Sequence, residues 1–168
     1  MQKRSSLLSL AFLILAALVF TTQPSSAVAP DNGSSASGQG EFDDFSFQHW
    51  TYSFEVTANK NGHARGRAIF NISDIRGETQ VVVRVNCLNV VGSTGLADAI
   101  MTGTVLHSDD PDFAKGENVL FAAADNSAFP TPRADLITPL FVFDGDCHEG
   151  ASPLTLLTQS PDAIHIER

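Results

Sequence analysis

The chain has 168 residues, 43% of them hydrophobic, and carries 19 Asp and Glu against 10 Lys and Arg. Beyond residue 27 the balance is 8 Lys and Arg against all 19 acidic residues, a net charge of −11. Such a chain will not bind nucleic acid by neutralising phosphates, and anionic lipid surfaces repel it. Calcium, amines and basic peptides stay open as partners, and the same charge keeps an exported protein in solution.

The basic start "MQKR" leads into the apolar run "LLSLAFLILAALVF", residues 7–20, and then "TTQPSSAVA", with Pro24 and small residues at 25, 27 and 29. This order predicts a secretory signal peptide, a helix-forming segment over residues 1–27, cleaved after Ala27. Cleavage after Ala29 would place Pro30 beside the scissile bond. The run is shorter than the roughly 20 residues of a membrane-spanning helix. No twin arginine precedes it and no cysteine closes it, which sets aside a lipoprotein. The expected location is secreted or periplasmic, with no stable membrane span after cleavage.

Residues 28–44 include "PDNGSSASGQGE" and have few apolar side chains, so they read as a flexible Gly/Ser-rich linker. Residues 45–168 are enough for one domain with one core. In "WTYSFEV", Trp50, Tyr52, Phe54 and Val56 alternate with polar residues, as in a half-buried strand. Phe45 and Phe47 fall on the opposite parity, which predicts a β-bulge near Gln48 and His49. "NKNG" supplies a turn, and "HARGRAIFNI" completes a hairpin. Gly66 inside it predicts a bend or the close approach of another backbone.

"TQVVVRVNCLNVVG" is the most β-prone run, with Val81, Val83, Val85 and Cys87 on one face. A strand over about 98–107 contains Gly103, and "NVLFAAAD" forms the next. "NSAFPTPRAD" is irregular. "LITPLFVFDG" is a strand in which Pro139 demands an edge or a bulge. "SPLTLLTQ" and "AIHIE" close the chain. The pattern predicts an all-β fold, a single antiparallel β-sandwich or flattened β-barrel of seven to eight strands.

The two cysteines, Cys87 and Cys147, lie 60 residues apart. That spacing is wrong for a redox dithiol, and His148 alone does not complete a zinc site. An exported chain favours a disulfide. A free Cys87 packed among the valines of its face is the alternative.

The loop "HSDDPDFAKGEN" concentrates Asp109, Asp110, Asp112 and Glu117, the oxygen ligands that calcium takes. The spacing is not that of an EF-hand, and Asp-Pro is also ordinary turn chemistry. Asp144, Asp146 and Glu149 form a second acidic cluster. The five histidines show no metal-ligand spacing. No serine-hydrolase elbow, zinc-protease motif, phosphate loop or dinucleotide fingerprint occurs, so no catalytic residue is assigned and no cofactor beyond calcium is implied.

Together "FSFQHWTYSFEV", "GHARGRAIF", "VVVRVNCLNVVG", "AIMTGTV", "VLFAAADN" and "AIHI" resemble a broad class of small secreted bacterial all-β proteins of unknown function. The resemblance spans most of residues 45–166. It implies a secreted β-domain and supplies no activity. The long loops at 107–117 and 127–139 depart from the usual form and are where individual function is expected. The expectation is a non-enzymatic binding or surface-interaction module for a protein, glycan or small molecule, with loops 109–117 and 128–135 as contact surface. Alternatives are a barrel carrying a small apolar ligand in its interior and a secreted hydrolase using paired carboxylates.

Overall fold

A computed structural model describes residues 33–61, 63–93, 96–127, 133–149, 157–158 and 163–168. The predicted signal peptide and most of the 128–135 loop lie outside these residues. Among them there is no helix. Ten strands form one antiparallel sheet: β1 (Ser34–Asp43), β2 (His49–Ala58), β3 (His63–Asp74), β4 (Gly77–Ser93), β5 (Leu96–Ser108), β6 (Asn118–Asp125), β7 (Leu136–Ile137), β8 (Phe141–Val142), β9 (Leu157–Thr158) and β10 (Ile164–Glu167). The order is β10-β1-β2-β3-β4-β5-β6-β7-β9, with β8 also on β6. The sheet curls into a nearly closed barrel rather than two packed sheets.

Two expectations are corrected. Residues 34–43, read as linker, are strand β1, paired with β2 along its whole length and with β10 on its other side. The β-sheet therefore includes residues 34–43, ahead of residue 45. The stretch looked structureless because its inward positions are Ala36, Gly38, Gly40 and Phe42, and glycine hides the alternation. Small residues are needed there: a Cβ at Gly38 would lie 2.8 Å from the Phe54 ring. Nor is there a bulge at Gln48. Asp43 pairs with His49, and residues 44–48 form the hairpin turn between them, so Phe45 and Phe47 belong to no strand.

The barrel interior is filled. Phe42, Trp50, Phe70, Phe121, Phe54 and Tyr52 form a closed circuit of ring contacts with centroids 5.2–6.2 Å apart. Edge-to-face and offset pairs of this kind stabilise beyond the area they bury. The valines of β4 complete the core as predicted. At Gly66 a Cβ would lie 2.5 Å from the Glu55 carbonyl oxygen, which is the expected close backbone approach.

Alternation along β4 fails after Val85. Against β5, Val85 pairs with Gly103 but Cys87 with Thr102, leaving Asn86 as the extra residue of a bulge. Leu88 then takes the inward place and Cys87 turns outward. There it forms a disulfide with Cys147, with Cα atoms 5.7 Å apart. Asn89 Nδ2 donates to the Cys147 carbonyl at 3.2 Å. The bridge pins the chain after β8 over the outer face of β5 and β6. A second small core, of Ile100, Leu120, Ala122 and Cys147 with Phe143 against it, lies beneath. Pro139 interrupts the strand predicted there, splitting it into β7 and β8, both on β6.

The barrel seam is closed by side chains rather than by a ladder. The N–H groups of Ile164 and Ile166 on the free edge of β10 donate to Asp135 Oδ2 at 2.9 Å and Asp125 Oδ2 at 3.2 Å. The other oxygens accept from Asn126 N at 2.9 Å and Ser127 N at 2.8 Å. Asp135, expected in an exposed contact loop, is wholly buried.

Candidate functional site

Strand direction places residues 44–48, 75–76 and 109–117 at one end of the barrel. Each connection is shaped by a carboxylate. Asp44 Oδ1 accepts the backbone N–H of Ser46 at 2.8 Å and of Gln48 at 3.0 Å, and its Oδ2 accepts the Trp50 indole N–H at 3.2 Å. This turn holds Phe47 at φ 59°, a left-handed conformation unfavourable for a bulky residue by roughly 1–2 kcal/mol. Phe45 and Phe47 are left 76% and 94% exposed.

Asp74 plays the same part at the next turn. It accepts from Arg76 N and Arg76 Nε, both at 2.7 Å. These bonds hold the Asp74 carboxyl below the usual carboxylate range and leave Ile75 fully exposed.

In the third connection Asp110 is buried. Its Oδ1 accepts from Asp112 N and its Oδ2 from the Thr79 hydroxyl, each at 2.9 Å. Glu117 Oε2 accepts from Ala114 N at 2.7 Å. Asp109 lies 3.2 Å from His107 Nε2. Asp109, Asp110 and Glu117 thus engage separate partners, and among the described residues the four candidate calcium ligands form no common cluster. Among the described residues the one group of three potential ligands within 4.8 Å is Cys87, Cys147 and His148, whose sulfurs are already joined to each other. In the second acidic cluster, Asp146 Oδ1 caps His148 N at 2.7 Å.

A cavity of about 320 Å³ opens at this end. Trp50, Ile72, Phe113 and Leu140 line it, with Phe45 and Phe141 at its sides and Asp112 at its edge. Of seven large hydrophobic side chains exposed among the described residues, Phe45, Phe47, Ile75, Phe141 and Val142 stand here. Contiguous exposed apolar surface marks binding sites in soluble proteins.

One serine-carboxylate-histidine chain occurs elsewhere. Ser35 Oγ donates to Glu167 Oε2 at 3.3 Å, and Glu167 Oε1 lies 3.1 Å from His165 Nε2. The carboxylate stands between hydroxyl and imidazole, an order in which the histidine cannot activate the serine.

Sequence reading found the acidic loop but missed Phe45 and Phe47, which it assigned to a strand. The signal was present in "DDFSFQ", where Asp44 two residues before Ser46 is turn chemistry. No family model, curated protein or solved structure matches the chain. The resemblance to small secreted β-proteins rests on its motifs alone.

Proposed function

We propose that this protein is a secreted, non-enzymatic binding module that engages its partner through the loop end of the barrel. The observation carrying the reading is the gathering of Phe45, Phe47, Ile75, Phe141 and Val142 on two connections and one edge strand. Two of the turns are built so that the apolar side chain points to solvent, and one does so against backbone preference. The basic-apolar-small order of residues 1–27 and the Cys87–Cys147 bridge support export, since disulfides persist in oxidising compartments.

The test compares the exported protein with a Phe45→Ser, Phe47→Ser double variant for retention by purified cell-surface material. Retention of the native protein and its loss in the variant is the expected result. Equal behaviour of the two would overturn the reading. An intact mass beginning at Val28 and lacking both thiol hydrogens checks export.

A second reading is a small apolar ligand, favoured by the cavity over Trp50, Ile72 and Leu140. Such a ligand would sit at the mouth, because aromatic rings fill the interior. A co-purifying apolar molecule that Leu140→Asp displaces would carry it.

A further inference from the structure

We propose that the outer face of β2, β3 and β4 is a second binding site, centred on Arg65, Arg67 and Arg84, for an acidic oligosaccharide. This is independent of the loop-end reading. Of the eight Lys and Arg beyond residue 27, three lie together on this face of an otherwise acidic chain. Arg67 is directly opposite Arg84 in the β3–β4 register. Adjacent strands run about 4.8 Å apart, and like charges set directly opposite weaken the pairing. Arg65 stands two residues along β3 on the same face.

All three guanidinium-bearing residues are exposed. Among the described residues none of the three side chains makes a hydrogen bond or an ion pair, whereas Arg76 at the loop end is held by Asp74 at 2.7 Å. The acidic side chain in register with this patch is Glu55, opposite Arg67 on β2; no ion pair joins the two. Thr104 of β5 faces Arg84 from the other side. The sheet thus holds two arginines directly opposite each other, with Glu55 in register beside Arg67 but not ion-paired to it.

A groove of about 570 Å³ crosses the outer face of β10, β1, β2 and β3, and Arg67 is the arginine of the patch that lines it. Arg67 forms one wall and His165 of β10 the other, with the short side chains of Ser37 and Ser53 between them and Gln39 and Glu55 beside them. Its size is that of a small-molecule site, roughly 300–1,000 Å³. Guanidinium forks match carboxylate and sulfate oxygens in pairs. Serine hydroxyls and a glutamine amide match sugar hydroxyls. A bare anion would leave most of the groove unused, and a long polyanion would meet the acidic remainder of the surface.

The experiment is calorimetric titration of the exported protein, at low and at physiological ionic strength, with a sulfated tetrasaccharide, a tetragalacturonate, neutral maltotetraose and inorganic sulfate. At least one acidic tetrasaccharide is expected to bind, with the neutral sugar silent and inorganic sulfate a poor competitor. Arg84→Glu places an opposite charge against Arg67, so it keeps the fold and should weaken binding at least about tenfold. Phe45→Ser with Phe47→Ser should leave binding unchanged, which separates this site from the loop end. Binding no tighter than maltotetraose, full binding by Arg84→Glu, or complete displacement by equimolar inorganic sulfate would each overturn the proposal.

Discussion

The Asp135 carboxylate binds the backbone of Ile164, 29 residues further along the chain, at 2.9 Å. With Asp125 and Ile166 it makes a side-chain-to-backbone seam in the barrel wall, and both carboxylates also fasten the chain just after β6. Each oxygen pair therefore holds two segments at once. Asp135→Asn keeps the shape but turns an N–H donor toward another donor. Leaving a buried donor unmatched costs about 1–3 kcal/mol, and urea unfolding should show that loss. An unchanged midpoint would mean that β10 is held by its ladder with β1 alone.

Acid should loosen the same seam. Burial raises the Asp125 carboxyl, but the Ser127 hydroxyl and backbone, the Ile166 N–H and nearby His165 outweigh it, and the net direction is down. A depressed folded value means that the stabilisation is complete above the ordinary carboxylate range near 3.9. It is lost as pH falls below that range and through the folded value. Hydrogen exchange at Ile166 should accelerate below about pH 4 before the β2–β3 hairpin does.

Tyr52 offers the opposite case. Its side chain is 4% exposed, and its hydroxyl is buried with no hydrogen-bond partner. Burial, and then the Asp135 charge, push the phenol well above its ordinary value. Tyr52→Phe removes an unmatched polar group and keeps the ring contacts with Phe42 and Phe54. It should stabilise the protein by about 1 kcal/mol. A loss of stability would reveal a buried water bonded to the hydroxyl.

Replacing Cys87 and Cys147 together by alanine opens a closure of 60 residues. In the chain-entropy model that costs about 4 kcal/mol. Because the bridge pins the cover over Ile100, Leu120 and Ala122, protease sensitivity should rise first around residues 143–149.

Phe47→Gly should stabilise the fold by about 1 kcal/mol, since glycine adopts positive φ without strain. Partner binding at the loop end should fall in the same variant. A gain in stability with a loss of binding is the signature of a side chain kept for recognition.

The strands were legible wherever large apolar residues alternate, as in β2 and β4. They were hidden in β1, where Gly38 and Gly40 stand at inward positions. Cys87 misled because alternation counts residues and cannot see that Asn86 is looped out. The acidic residues were easy to find and hard to interpret. Asp44, Asp74 and Asp110 cap turns, while Asp125 and Asp135 close the wall, and composition treats all five alike. Only the spacing of Asp44 and Ser46 carried a local hint of the exposed phenylalanines between and beside them.

The β1–β10 ladder sets Ser35 against Glu167 and Gly38 against Ile164. These contacts join residues at the two extremes of the domain, which gives the fold a strongly non-local character and a slow final step. A nascent chain emerging from a ribosome presents β1 well before β10. Until residue 167 is free, β1 has an open edge and Asp125 and Asp135 have no strand to grip. The barrel is thereby kept from locking shut before β10 has been made.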